Sequence, residues 1–426
     1  MVKNFQNPKQ KTRLVFYEQV GNGLLQVPKF YASKKLHLNL EPGQFESLSP
    51  GLVLAGELHE TVNRPQKTVF NTAVDALGRN FGTTLVMPCG SGKTNTAIAI
   101  ALHMGLKTAV LCHKNFLLEQ WAQRLKEFVK GEFSIGTIQQ DRCTTGDFVL
   151  CSIASLLSRD YPLEFRNYGL IIVDEVHHIA APTFSRVLGK LTCRYTLGLT
   201  ATPRRKDGLE DMVYFLVGEP SHVMAVEARP DVQVNIVECD ARDVCEIVYK
   251  NGTIGMSAMV TQLTESEARN RLLVNVVGKM LKKRPGSLGL LLSDRVQHLS
   301  GLHRAIQEAH GDVSAIICGK LNTNHDGALE FRHPITLSTY QMFAEAVDFP
   351  GDYVILATPK SNVEQSTGRI LRGHSGATPV IIDLYDPASL FVHMKRKRAA
   401  YYAHRGYTVI ELGWGCLLYT SPSPRD

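Results

Sequence analysis

Residues 85–94 read LVMPCGSGKT, and the helix-forming stretch TNTAIAIALHM overlaps and follows them at 94–104. An apolar run that turns through small residues into a helix is the setting of a phosphate-binding loop. Small residues let backbone N–H groups approach an anion, and the helix N-terminus favours its charge. In the pattern G-x-x-x-x-G-K-[ST], Gly90, Ser91 and Gly92 form the cradle, Lys93 reaches the β- and γ-phosphate oxygens, and the Thr94 hydroxyl binds Mg²⁺. Met87 stands where the pattern has its first glycine. Gly90 and Gly92 still supply the tight turns, so the stretch reads as a nucleoside triphosphate site.

A second apolar run, IIVDEVHH at 171–178, ends in two carboxylates and two histidines. Three readings compete: a metal site made by the protein alone, an acid/base pair, or the other half of the nucleotide site. HExxH is absent, and side chains as close in sequence as His177 and His178 diverge, which argues against zinc. Two adjacent carboxylates repel unless a divalent cation offsets their charge. A strand ending in Asp-Glu about eighty residues after the loop fits the third reading. Asp174 then holds Mg²⁺, and Glu175 orients or deprotonates the attacking water. His177 is expected to touch the γ-phosphate side and couple it to the next motif; His178 is expected to pack or face solvent.

Outward from these two strands, short apolar runs alternate with amphipathic stretches: TTLVM, TAVLC, GLIIV and TLGLT in the first half, then SLGLLLS, SAIIC, ITLST, YVILAT and PVIIDLY in the second. Strands taking turns with helices imply an α/β chain with parallel sheets wrapped by helices. The 426 residues suffice for two such cores. The expected division is a small β-containing appendage at 1–60, a first lobe at 61–215, a connector at 216–265 and a second lobe at 266–412. The last eleven residues, CLLYTSPSPRD at 416–426, resemble an in-frame translation of a sequencing adapter and are set aside.

The hydrophobic share of 44% excludes bulk disorder, and apolar runs such as TAIAIAL at 96–102 are too short to span a membrane. Nine cysteines without a C-x-x-C pair point to reduced thiols. No secretory signal is evident at the N-terminus, so the expectation is an intracellular protein, not a secreted one. The net charge is +7, with seven Lys/Arg against one Glu in residues 1–40 and a KRKR cluster at 395–398. Such clusters suit phosphate backbones or are simply solvated faces.

Four stretches in order, VMPCGSGKT, VDEVHH, LGLTATPRRKDGL and VEQSTGRILR, resemble motifs I, II, III and VI of superfamily-2 helicases of the DExH kind. VLCHKNFLLEQW, LLLSDRVQHL, STYQMFAEAVDFP and the leader VPKFYASKK are similar to the XPB-like branch of large DNA viruses. The resemblance implies two RecA-like lobes with a nucleotide cleft between them, ATP and Mg²⁺ as cofactors, and a viral protein of the cytoplasm, a viral replication site or the nucleus. It assigns Thr200 and Thr202 to coupling, Gln66 to the adenine, and Gln365, Gly368, Arg369 and Arg372 to the nucleotide, with both arginines catalytic. The family's R-P-x-Q is one residue short here, as Arg64-Pro65-Gln66, and Ala346 replaces a glycine before Asp348.

The same resemblance places nucleic-acid contacts at His113, Lys114, Gln120 and Trp121, at Ser152 and Ser155, and at Arg295, Lys320 and Thr339. Hydroxyls and basic side chains hold phosphates without reading sequence. Trp121 is the exception, because its spacing to Leu117, Leu118 and Leu125 suits a buried helix stripe. The implied partner is nucleic acid, with DNA favoured, and the implied activity is ATP-driven movement along it, 3′ to 5′. Protein partners are not indicated. Competing readings are an RNA helicase, the motor of a restriction-type nuclease, for which no D-x-n-E-x-K segment stands out, and a catalytically idle scaffold, which would be expected to lose Lys93, Glu175 or Arg372.

Overall fold

The computed structural model describes residues 2–3, 11–12, 17–20, 23–38, 43–61, 64–88, 90–162, 167–178, 186–201, 210–224, 228–239, 244–249, 252, 254–317, 331–346, 349–370 and 378–413. The chain divides into two units, Met1–Ala225 and Val226–Asp426. Each is built on one sheet, as the alternation of strands and helices requires.

The main sheet of the first unit contains β1 (Gly82–Val86), β2 (Thr108–Cys112), β3 (Ile135–Gln139), β4 (Arg142–Cys143), β5 (Phe148–Ser152), β6 (Asn167–Val173), β7 (Thr192–Thr200) and β8 (Pro220–Val223). They lie in the order β4-β3-β5-β2-β6-β7-β1-β8. Every neighbouring pair is parallel except the β3–β4 hairpin. The helices are α1 (Lys29–Leu36), α2 (Gln66–Asn80), α3 (Lys93–Met104), α4 (Asn115–Phe128), α5 (Ile153–Ser158) and α6 (Glu210–Val217). Successive strand residues serve opposite faces. Leu170 and Ile172 join one core with α2, α3 and α4, while Ile171 and Val173 join another with α5 and α6. Burial on both faces is why β6 reads as a continuous apolar run.

Two described segments of the first 60 residues pack on this unit. Phe30 of α1 is buried against Gly82, where a Cβ would collide with its ring, and Lys29 donates to the carbonyls of Cys193 and Arg194. Val53–Leu54 pair with Val129–Lys130.

The second unit carries β9 (Gln233–Glu238), β10 (Gly289–Ser293), β11 (Ser314–Ile317), β12 (Ile335–Thr339), β13 (Tyr353–Leu356), β14 (Val380–Tyr385) and β15 (Thr408–Leu412). Their order is β11-β12-β10-β13-β14-β9-β15, all parallel. Its helices are α7 (Met256–Glu265), α8 (Glu267–Lys283), α9 (Val296–His310), α10 (Tyr340–Ala346), α11 (Glu364–Ile370) and α12 (Ser389–His404). Among the described residues, no helix of the chain is long and apolar enough to cross a membrane.

The expected connector at 216–265 is corrected by these sheets. It supplies β8 to the first sheet, β9 to the interior of the second, and helix α7. The partners of β9 lie far downstream, at 380–385 and 408–412, so local periodicity carries no trace of them.

Two buried ion pairs brace the second unit. Arg269 of α8 reaches Asp386 at 2.8 Å, and Arg398 of α12 reaches Asp383 at 2.7 Å. The KRKR cluster is therefore split. Arg398 is buried, Lys395 pairs with Glu411 at 3.0 Å over the Tyr385 ring, and Arg396 and Lys397 are exposed.

Candidate nucleotide site

The C-terminal ends of β1, β7 and β6 bring the predicted residues of the first unit together, as parallel α/β sheets do with their ligand sites. The Met87 N–H donates to Thr200 O at 2.9 Å, so the glycine loop starts against the end of β7. Met87 itself is fully buried, so its side chain serves the core while the turns fall to Gly90 (φ 87°) and Gly92 (φ 89°). The loop is tightened by Ser91 Oγ, which donates to Pro88 O at 2.7 Å. Lys93 opens α3 and donates from Nζ to Met87 O at 3.0 Å. Gly92 caps α3 without a side-chain hydrogen bond, leaving the first-turn N–H groups oriented for an anion.

Asp174 follows β6 directly and is held on three sides. Its N–H donates to Leu111 O at 3.1 Å, its Oδ1 accepts the Glu175 N–H at 2.9 Å, and its Oδ2 accepts the Trp121 indole N–H at 2.9 Å. Burial first, then the Glu175 charge, push the Asp174 carboxyl above the ordinary range; the Trp121 bond and the Lys93 charge oppose this. Glu175 adopts a left-handed backbone, φ 48°, which costs a non-glycine residue roughly 1–2 kcal/mol. That turn leads into the short helix Val176–His178 and sets Glu175 Oε2 3.3 Å from His177 Nδ1. The same nitrogen lies 2.7 Å from Thr200 Oγ1. His177 thus joins the carboxylate pair to the end of β7, the link expected from the sequence.

Gln66, at the start of α2, is almost fully buried. Its Oε1 accepts the His59 N–H at 2.8 Å, and its Nε2 lies 3.4 Å from the carbonyls of Ser91 and Gly92. The residue expected at the adenine is therefore packed on the loop. Thr94 sits in the first turn of α3, half-buried. Among the described residues, no three His, Cys, Asp or Glu side chains gather into a metal cage. A divalent ion here would rest on a carboxylate, a hydroxyl and the nucleotide's own oxygens, the donor set Mg²⁺ takes with phosphates.

The expected nucleic-acid residues are dispersed over strand ends. His113 and Lys114 follow β2, half-buried, with Lys114 as the N-cap of α4. Ser152 ends β5 and is buried, and Ser155 Oγ accepts the Gln140 N–H at 2.8 Å. The structure corrects the expectation for these hydroxyls: they face the protein, because α5 starts at once and turns them inward. Trp121 is likewise in the core, where its ring cannot stack on a base. In the second unit, Arg295 donates to Ser257 O at 3.0 Å and to Ser257 Oγ at 2.8 Å, and Thr339 Oγ1 accepts the Met342 N–H at 3.2 Å. Gln365, Gly368 and Arg369 fall within α11. Thr202, Lys320 and Arg372 lie outside the described residues.

Sequence reasoning missed the Trp121–Asp174 bond. Its signal was available: a buried indole N–H needs an acceptor, and the stripe on α4 faces the sheet whose strand ends in Asp174.

The family described as "Type III restriction enzyme, res subunit" matches residues 59–205. A protein of Acanthamoeba polyphaga mimivirus, named "Putative ATP-dependent RNA helicase L396", is 31% identical over 415 residues, covering 92% of this chain and 77% of its own. Among solved structures, the restriction-modification enzyme LlaBIII bound to DNA superposes with a TM-score of 0.56 at 14% identity, over 82% of this chain and 31% of that one. A single-substitution variant of Dbp5 of S. cerevisiae, bound to RNA and ADP BeF3, superposes with a TM-score of 0.56 at 14% identity, over 81% of this chain and 89% of that one. The two superpositions show the fold. With the mimivirus relationship and the helicase domain beside them, this chain belongs to the superfamily-2 helicases, in the family of viral ATP-dependent helicases that includes the mimivirus protein, and is an ATP hydrolase.

Proposed function

We propose that this helicase moves along DNA, 3′ to 5′, in viral transcription or in DNA repair and recombination, and that it hydrolyses ATP with Mg²⁺ held by Thr94 and Asp174. The observation that carries the hydrolytic part is the gathering of Lys93, Asp174, Glu175, His177 and Thr200 at adjoining strand ends. Lys93 and the first-turn N–H groups of α3 bind the β- and γ-phosphates. Glu175 orients the attacking water and takes its proton. Mg²⁺, when bound, offsets the charge that builds on the phosphoryl oxygens. Arg369 and Arg372 add guanidinium charge to the same oxygens, the role the motif resemblance gives them.

Support for DNA comes from the resemblance to the XPB-like branch; RNA is the reading favoured by the name of the mimivirus relative. The match to the restriction-enzyme family stops at residue 205, inside the motor region, and lends nothing to a nuclease. The test is steady-state ATPase with single-stranded DNA, duplex DNA and RNA as activators, with Lys93→Ala as control. Stimulation by DNA and loss of turnover in Lys93→Ala are expected. Stimulation by RNA alone would overturn the choice of DNA, and parental turnover by Lys93→Ala would overturn the site.

A further inference from the structure

Burying an ionised carboxylate is costly unless donors compensate it, and a buried indole N–H is satisfied as well by a backbone carbonyl. The Trp121–Asp174 bond spends the costlier acceptor. Both partners are buried, Trp121 at 2% and Asp174 at 9% exposure, and they come from elements 53 residues apart. Trp121 cannot follow a moving carboxylate, because Leu118 and Leu125 of the same helix are packed with it in one core. The Glu175 N–H holds the other oxygen at 2.9 Å. Each carboxylate oxygen has about two acceptor sites. One on each is therefore used by a protein donor, and one on each remains in a fixed direction.

We propose that Trp121 is a positioning residue of the nucleotide site, whose indole N–H holds the Asp174 carboxylate in the orientation from which it binds the cation of a metal–nucleotide. This rests on the nucleotide-site reading above. It assigns the tryptophan to the metal side of the site and away from the nucleic acid. Trp121 also fastens Asp174 to α4, the helix that begins at Asn115 with Lys114 as its N-cap. An orienting partner of a metal ligand typically changes metal affinity by about 10–100-fold when removed.

The chain has two tryptophans, Trp121 and Trp414. In a Trp414→Phe background the emission of Trp121 reports on its own hydrogen bond. The experiment titrates Mg²⁺ at saturating ATP and follows both hydrolysis and Trp121 emission, then repeats the hydrolysis titration with Trp121→Phe, which keeps an aromatic ring and removes the N–H. The expected result is an emission change that saturates with Mg²⁺–nucleotide at the concentration that half-saturates hydrolysis. With Trp121→Phe, the Mg²⁺ requirement should rise about tenfold or more while the KM for ATP at saturating Mg²⁺ moves little. An unchanged Mg²⁺ requirement in Trp121→Phe, or emission indifferent to Mg²⁺–nucleotide, overturns the proposal. If Trp121→Phe fails to fold, the emission titration on the Trp121-containing protein decides alone. Hydrolysis that survives in Lys93→Ala overturns the nucleotide-site reading instead, so the two failures are distinct.

Discussion

The imidazole Nδ1 of His177 meets the hydroxyl of Thr200 at 2.7 Å and stands 3.3 Å from the carboxylate of Glu175. The end of β7 and the carboxylate expected to act on water are therefore joined through one ring nitrogen. The His177 side chain thus stands between Glu175 and Thr200.

For Glu175→Gln, ATP and Mg²⁺ binding should stay within a few-fold of the parent, because Asp174 keeps its three hydrogen bonds. Hydrolysis should fall at least about a hundredfold, since the amide cannot accept the proton from water. Nucleotide titration beside single-turnover hydrolysis checks the split. Loss of metal-dependent binding would mean that the roles of Asp174 and Glu175 are assigned the wrong way round.

Gly92→Ala should damage the loop twice. Its φ of 89° disfavours any side chain, and an added Cβ would collide with the Gln66 amide. The expected outcome is a folded protein with nucleotide affinity down by tenfold or more. Calorimetric titration of a non-hydrolysable analogue measures it; parental affinity would show that the loop relaxes freely.

Arg372 lies three residues after Arg369 in the sequence. Arg372→Ala should bind ATP within a few-fold of the parent and lose about 10³ or more in nucleic-acid-stimulated hydrolysis. Steady-state ATPase with and without DNA tests this, and a parental stimulated rate would remove the arginine from the mechanism.

The second unit should carry a pH-dependent stability that belongs to His298. Asn270 Nδ2 donates to Thr264 O, so its Oδ1 faces His298 Nε2; the Arg295 N–H donates to Ser293 Oγ, leaving the Ser293 proton for His298 Nδ1. The ring is neutral with its proton on Nε2. Burial, then the Arg269 charge, lower its pKa to about 3, against about 6.5 in an unfolded chain. Between those values the unfolded state binds a proton that the folded state refuses. The stability is complete above about pH 6.5 and falls as pH drops toward 3, by roughly 1.4 kcal/mol per pH unit at most. Hydrogen exchange of the α9 amides should show weaker protection at pH 5 than at pH 7.5 after correction for intrinsic rates. His298→Gln should flatten that dependence, and an unchanged slope would rule the residue out.

Much of this was legible in the sequence. Runs such as LIIV at 170–173 announce strands buried on both faces, and LVMPCGSGKT announces the strand-loop-helix turn. What could not be read was long-range pairing. QVNIVE at 233–238 looks like any short strand, and its place between β14 and β15 is set by sheet closure at the far end of the chain. The inward turn of Ser152 was hidden because a hydroxyl at a strand end suits a phosphate and a helix start equally. The stripe on α4 identified Trp121 as buried, but apolar periodicity is silent about where an indole N–H finds its acceptor.

The divided basic cluster on α12 has a consequence for counterion release. A cation already paired with a carboxylate displaces few ions from a nucleic acid, because its own charge is spent. With Lys395 bound to Glu411 and Arg398 to Asp383, only Arg396 and Lys397 of the four remain to neutralise phosphates. Each phosphate contact on duplex DNA contributes about −0.9 to the slope of log affinity against log salt. This helix can therefore steepen the salt dependence by no more than about 1.8, half of what its four consecutive basic residues advertise.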